Sequence, residues 1–227
     1  MEKIICVFGT SVTWGAWDSE KGGWVNRLKL YFESLDEKDE KKVFIYNLGI
    51  ESNTTKNILK RFNNEAKERF WGDSDNKNYK NDNICIFDDT GGNDSMYVGS
   101  KNNNWVKLDE FEKNLNKLIE EARKFSSKII LIGPAKVDES ETIPWEETGE
   151  SICNENIEKY NLVIKSVCDE QNIHFIPMID LLNIKNDLED GLHPNVQGHR
   201  KMFERVKDFL LKNKLVDGKN LAIVDII

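Results

Sequence analysis

The chain has 227 residues, 39% of them hydrophobic, and a net charge of −8 with a pI near 5.1. That length suits one large domain with a buried core. The acidic balance excludes nucleic acid as the main partner, because phosphate neutralisation needs clustered Lys and Arg, and the basic residues at 38–42 are interleaved with acidic ones.

In chain order, an apolar run at residues 4–8 reads as a strand. It empties into Phe8-Gly9-Thr10-Ser11, where Gly9 permits a sharp turn and a close backbone approach. A second strand-like run at 43–48 ends in Asn47-Leu48-Gly49. Residues 71–83 are polar and read as a surface loop. A third run at 84–87 is followed by Asp88, Asp89 and then Gly91-Gly92-Asn93-Asp94. Leu108, Phe111, Leu115, Leu118, Ile119 and Ala122 form one apolar helical stripe, with charges on most other positions. A fourth strand at 129–132 leads into a long carboxylate-rich loop, 136–151, that carries Pro144 and Trp145. A helix at about 154–171 and a strand at 174–177 come next. A last helix is marked by Val196, Met202, Phe203, Val206, Phe209 and Leu210. Just before it stands Asp190-Gly191-Leu192-His193-Pro194-Asn195. The segment 215–227 is an apolar extension, read as an edge strand, a packing arm or a contact for a homo-oligomer.

Short, nearly uninterrupted apolar strands alternating with helices imply the α/β class: a three-layer α/β/α sandwich on a five-stranded parallel sheet, spanning 1–227 as one domain. In such a fold ligands sit beyond the carboxyl ends of the strands. Ser11, Gly49 and Asn93 follow the first three strands, and Asp190 and His193 follow the fifth.

These residues supply the parts of acyl transfer. A serine hydroxyl is a poor nucleophile until a base removes its proton. His193, one of three histidines, sits in a turn where an imidazole has no packing role. Asp190, three residues earlier, is placed to accept from Nδ1 and leave Nε2 for the serine. The amide of Ser11, the amide of Gly49 and the side chain of Asn93 are candidate oxyanion donors. Singly, each fragment is an ordinary turn or helix cap, and the G-x-S-x-G elbow is absent because Val12 and Thr13 follow Ser11. His199 reads as structural, and His174 is given no role. Trp14, Trp17, Trp105 and Trp145 are candidates to stack on a sugar, and Trp14 and Trp17 also to line an acyl pocket, although such rings more often pack. No metal or nucleotide cofactor is expected: there is no H-E-x-x-H, Cys/His cluster, P-loop or G-x-G-x-x-G pattern.

Together, Phe8-Gly9-Thr10-Ser11, Asn47-Leu48-Gly49, Gly91-Gly92-Asn93-Asp94 and Asp190-Gly191-Leu192-His193-Pro194 resemble the four blocks of the SGNH or GDSL-type esterase and lipase superfamily. Gly22-Gly23-Trp24-Val25, Gly133-Pro134 and Val137-Asp138-Glu139 resemble further segments of bacterial members. The resemblance implies a flavodoxin-like sandwich, with Ser11 as nucleophile, His193 as base, Asp190 as its orienting acid, and Gly49 and Asn93 in the oxyanion hole. It implies a serine hydrolase acting on a small-molecule ester of small or medium acyl length (an acetylated sugar, a lysophospholipid or an acyl-thioester) through an acyl-serine. Acyl transfer to an alcohol and a non-catalytic binding module are the alternatives. Three departures stand out. Thr10 replaces an Asp usual before the serine, Ser52 replaces a second glycine, and Asp88 and Asp89 stand where neutral residues are usual. If those carboxylates face His193 they favour the imidazolium and shift activity to higher pH.

Cys6, Cys85, Cys153 and Cys168 form no CxxC pair, and Cys6 and Cys85 are expected as buried free thiols. No apolar stretch approaches the roughly 18 residues of a membrane helix, and no signal-peptide pattern precedes the first strand. A cytoplasmic location is the expectation.

Overall fold

Alternation along each strand divides the core in two. In the computed structural model, which describes residues 3–35, 43–70, 82–145 and 149–216, strand β1 (Lys3–Gly9) turns Ile4, Cys6 and Phe8 to one side and Ile5 and Val7 to the other. All five are fully buried, as expected for a strand covered on both faces. Strands β2 (Val43–Gly49), β3 (Ile84–Phe87), β4 (Lys128–Ile132) and β5 (His174–Ile176) complete a sheet of order β2-β1-β3-β4-β5. Every pairing is parallel. This is the flavodoxin-like order, whose direction of winding reverses between β1 and β3 and opens a crevice at their carboxyl ends.

The helices are α1 (Ser11–Trp14), α2 (Trp24–Leu35), α3 (Thr55–Arg69), α4 (Leu108–Ala122), α5 (Glu139–Thr142), α6 (Asn154–Gln171) and α7 (Val196–Lys212). Ile58 and Phe62 of α3, Phe111 and Leu115 of α4 and Ile164 of α6 cover one face of the sheet. Trp24 and Leu28 of α2 and Met202, Val206 and Leu210 of α7 cover the other. The layers are the expected three.

The structure adds detail at two segments. The 136–151 loop contains α5, four residues capped by the Asp138 side chain accepting from Ser140 N; so short a helix shows no periodicity. Leu215 and Val216, expected to begin an extension, are buried against the α2 and α7 core. The rest of that segment and most of the 71–83 loop lie outside the described residues, as does the expected oligomer contact. All four cysteines are free and buried. Among the described residues no helix is long and apolar enough to cross a membrane.

Candidate active site

Gly9 ends β1 where no side chain fits: an added Cβ would lie 1.9 Å from Thr13 Oγ1 and 2.7 Å from the Asp88 carbonyl. The chain then enters α1 through Thr10, whose hydroxyl caps the helix by accepting from Val12 N at 3.2 Å. Ser11 becomes the first helical residue at the rim of the crevice. From the other end of the sequence, Gly191 takes a left-handed backbone with φ of 80°, and the Asp190-to-His193 turn closes on itself. Asp190 Oδ1 accepts from the amides of Leu192 at 3.0 Å and His193 at 2.7 Å.

The two ends meet. Ser11 Oγ lies 2.9 Å from His193 Nε2, and His193 Nδ1 lies 2.7 Å from Asp190 Oδ2. In the tautomer whose Nδ1–H donates a hydrogen bond to the carboxylate, Nε2 faces the serine hydroxyl as an acceptor. Burial works against the charge on Asp190. The hydrogen bond and charge of His193 and the two turn amides outweigh it and hold the carboxyl down at about 2, so it is ionised throughout the neutral range.

The oxyanion donors come out differently. The Asn93 amide donates to the Asn53 carbonyl at 2.9 Å, which fixes its orientation and leaves its second N–H. The Gly49 amide is already engaged, donating to Asn47 Oδ1 at 3.0 Å. Its lack of a side chain serves packing, since a Cβ there would lie 2.2 Å from Trp14 N. In the same loop, Ser52 adopts a left-handed φ of 57°, a conformation that a glycine takes more readily. Arg61 ties this region together. Its guanidinium donates to the carbonyls of Leu48 at 2.7 Å and Gly9 at 3.3 Å and to Asn53 Oδ1 at 2.9 Å.

Neither extra carboxylate hydrogen-bonds to His193. Asp88 accepts from Thr13 Oγ1 at 2.7 Å and Trp24 Nε1 at 2.9 Å, and Asp89 accepts from Thr10 Oγ1 at 2.6 Å. The hydrogen bonds of these two carboxylates thus go to partners other than His193. Burial raises both carboxyls, Asp88 to about 6 and Asp89, with the neighbouring Asp88 charge adding to it, to about 8. Asp94 is likewise raised to about 6 by burial, despite hydrogen bonds from Thr55.

A family model for the GDSL-like lipase/acylhydrolase family matches residues 7–201. The chain belongs to that family. As a GDSL-like acylhydrolase it is a carboxylic ester hydrolase. A search of curated proteins found no match. Among solved structures, the lipase/acylhydrolase from Enterococcus faecalis shares 21% identity at a TM-score of 0.69, covering 96% of this chain and 100% of that one. A lipolytic G-D-S-L family protein from Veillonella parvula DSM 2008 shares 20% identity at 0.66, covering 92% and 97%. A catalytic mutant of an acetylxylan esterase from Geobacillus stearothermophilus shares 20% at 0.64, covering 96% and 97%. At these identities the likeness shows the fold.

In this GDSL-like chain the tryptophans divide. Trp145 stands beside His193, the two ring centroids 5.8 Å apart. Trp14 and Trp17 are each 55% exposed and do not line the small cavity beside Leu192 and Pro194. That cavity, of ≈ 20 Å³, is bounded instead by Val12, Gly92, Leu192 and Pro194, with Asp89 at its wall. Trp105 is 37% exposed, on the loop before α4. His199 is structural as expected. Its Nδ1 accepts from Trp24 N at 3.2 Å while Nε2 donates to the Ala16 carbonyl at 2.9 Å. Only the neutral ring does both, and burial lowers its pKa accordingly. Arg61 and the Trp17 indole contact went unnoticed in the sequence, since each acts through a partner distant along the chain.

Proposed function

We propose that the protein hydrolyses a short-chain ester, an acetyl ester first of all, through an acyl-Ser11 intermediate. The observation that carries this reading is the continuous hydrogen-bonded line from Ser11 Oγ through His193 to Asp190. His193 Nε2 takes the hydroxyl proton as Oγ bonds to the ester carbonyl carbon, and Asp190, ionised, steadies the imidazolium. The donors for the tetrahedral oxyanion are the Ser11 amide and the second N–H of Asn93, whose side chain the Asn53 carbonyl holds in place. Collapse of this adduct breaks the bond to the alcohol, which leaves with the proton from His193. The same ring then deprotonates water as it attacks the acyl carbon; the acyl–Oγ bond breaks, Oγ takes back the proton from His193, and the free acid leaves.

The acyl size follows from the cavity. Part of its wall is Val12, Gly92, Leu192 and Pro194, which flank Ser11, Asn93 and His193 in the chain, the rest including Gly133, Ile157 and Met202, and its ≈ 20 Å³ holds about one water or one methyl. Trp14, three residues after Ser11 on α1 and exposed, offers an apolar face of the kind sugars stack on. The esterase relative named for acetylxylan makes acetylated carbohydrate the first class to test.

The experiment is a panel of nitrophenyl esters graded from acetyl to octanoyl, together with an acetylated xylooligosaccharide, with Ser11→Ala as the control. The expected result is a kcat/KM highest for acetyl, lower by about tenfold or more for octanoyl, and abolished in the variant. Faster turnover of octanoyl would show that the cavity is not the acyl seat. No hydrolysis of any ester by folded wild type would end the hydrolase reading.

A further inference from the structure

Asp190 Oδ2 accepts two hydrogen bonds, and only one of them belongs to the Ser-His-Asp line. Besides His193 Nδ1 at 2.7 Å, the indole Nε1 of Trp17 donates to the same oxygen at 2.9 Å. Trp17 lies 173 positions away in sequence and is half exposed, so packing does not explain its orientation. The chain holds it there at some backbone cost. Trp17 itself has a φ of 65°, and Gly15, two residues earlier, has 105°; a left-handed conformation at a bulky residue is a local strain that the surroundings must impose. Those surroundings are identifiable. The Ala16 carbonyl is bound by the buried His199 at 2.9 Å, on the helix that follows the His193 turn. Asp18 is clamped by Arg27 through two bonds of 2.8 and 2.9 Å and accepts from Gly23 N at 2.9 Å.

From this geometry we infer that Trp17 is a positioning residue for the reaction: its indole N–H holds the carboxylate of Asp190 in the plane of the His193 ring and shares the negative charge on Oδ2. This rests on the Ser11–His193–Asp190 assignment above. A donor on a carboxylate oxygen withdraws charge from it, so Trp17 weakens the pull of Asp190 on the imidazolium while fixing its direction. The polar groups around Asp190 are His193, Trp17 and the two turn amides. Facing His193 are Ser11, Asp190 and the Trp145 ring, and the buried His199 is electrostatically coupled to it.

The test compares wild type with Trp17→Phe, and with benzothienylalanine installed at position 17, an isostere that replaces the indole N–H by sulfur and keeps the ring. Three readouts are taken on folded protein. In both variants kcat falls about three- to tenfold, within the worth of one partly exposed charge-assisted hydrogen bond, and KM stays within about twofold. The acid limb of kcat/KM moves to higher pH by about half a unit, because the carboxylate now holds the protonated ring harder. The downfield Nδ1 proton resonance of His193, read by NMR at a pH where the ring is protonated, moves further downfield. A raised KM with kcat and the pH limb unchanged would make Trp17 a substrate wall and overturn the inference, as would an Nδ1 resonance identical in all three proteins. The NMR readout needs no turnover: if wild type hydrolyses no ester, the proposed function fails while the resonance still decides the role of Trp17.

Discussion

Replacing Asp88 by Asn should make the protein's stability less sensitive to rising pH. Asp88 follows β3, fully buried. Its Oδ2 takes the Thr13 hydroxyl and the Trp24 indole, and Oδ1 has no hydrogen-bond partner among the described residues. Burial raises the carboxyl from 3.8 to about 6, against the smaller lowering by those donors. A carboxyl whose folded value lies above its unfolded one binds its proton more tightly in the native state. Its contribution is therefore fully present below pH 3.8 and is lost as the pH climbs through about 6. Two units at roughly 1.4 kcal/mol each give a loss of about 3 kcal/mol. Asn keeps an acceptor for Thr13 and Trp24 and cannot ionise. Urea titrations followed by tryptophan fluorescence at pH 4 and pH 8 would measure the change. Relative to wild type, Asp88→Asn should gain about 3 kcal/mol between the two conditions. Any fixed cost of burying the new amide cancels in that comparison, and release of Asp89 from the neighbouring charge acts in the same direction. A stability difference equal at the two pH values would refute the reasoning.

Other consequences concern the site itself. Asn93→Ala should lower kcat by about 10²–10³ with KM little changed, measured on the preferred ester; an equal rate would remove Asn93 from the oxyanion hole. Asp190→Asn should lower kcat by about 10⁴, because the ring loses the partner that sets its tautomer; a loss below tenfold would show that another group orients His193. Because the Asp190 carboxyl is held down at about 2, its stabilising contribution is present above its ordinary 3.8 and fades as the pH falls towards 2. The acid arm of a pH–stability curve should therefore flatten in Asp190→Asn. Gly49→Ala should destabilise by about 1–3 kcal/mol or more, since its Cβ would meet backbone rather than a yielding side chain. A urea midpoint unchanged from wild type would contradict the close approach.

The sheet was legible because its strands are buried on both faces and read as unbroken apolar runs; residues 84–87 match β3 at both ends. The line from Ser11 to Asp190 was legible because its parts follow strand ends or a Gly-Pro turn, where polar residues have little packing reason to be. The orientation of hydrogen-bonding groups was not. Gly49 lies at a strand end as expected, yet its amide is taken by a side chain two residues earlier. Asp88 and Asp89 suggested a charge facing the base, but their partners, Thr13, Trp24 and Thr10, lie 64 to 79 positions away. Trp17 invited a hydrophobic role, whereas its N–H is what reaches the site.

The proposal that Ser11 is the nucleophile, with His193 as its base, is tested most directly by covalent capture. Folded wild type is incubated with a fluorophosphonate, and the adduct is located by intact mass and peptide mapping. One phosphonyl group on Ser11 is expected, forming at a rate that falls sharply in His193→Ala and not at all in Ser11→Ala. Wild type left unlabelled, or labelled at another residue, would contradict it.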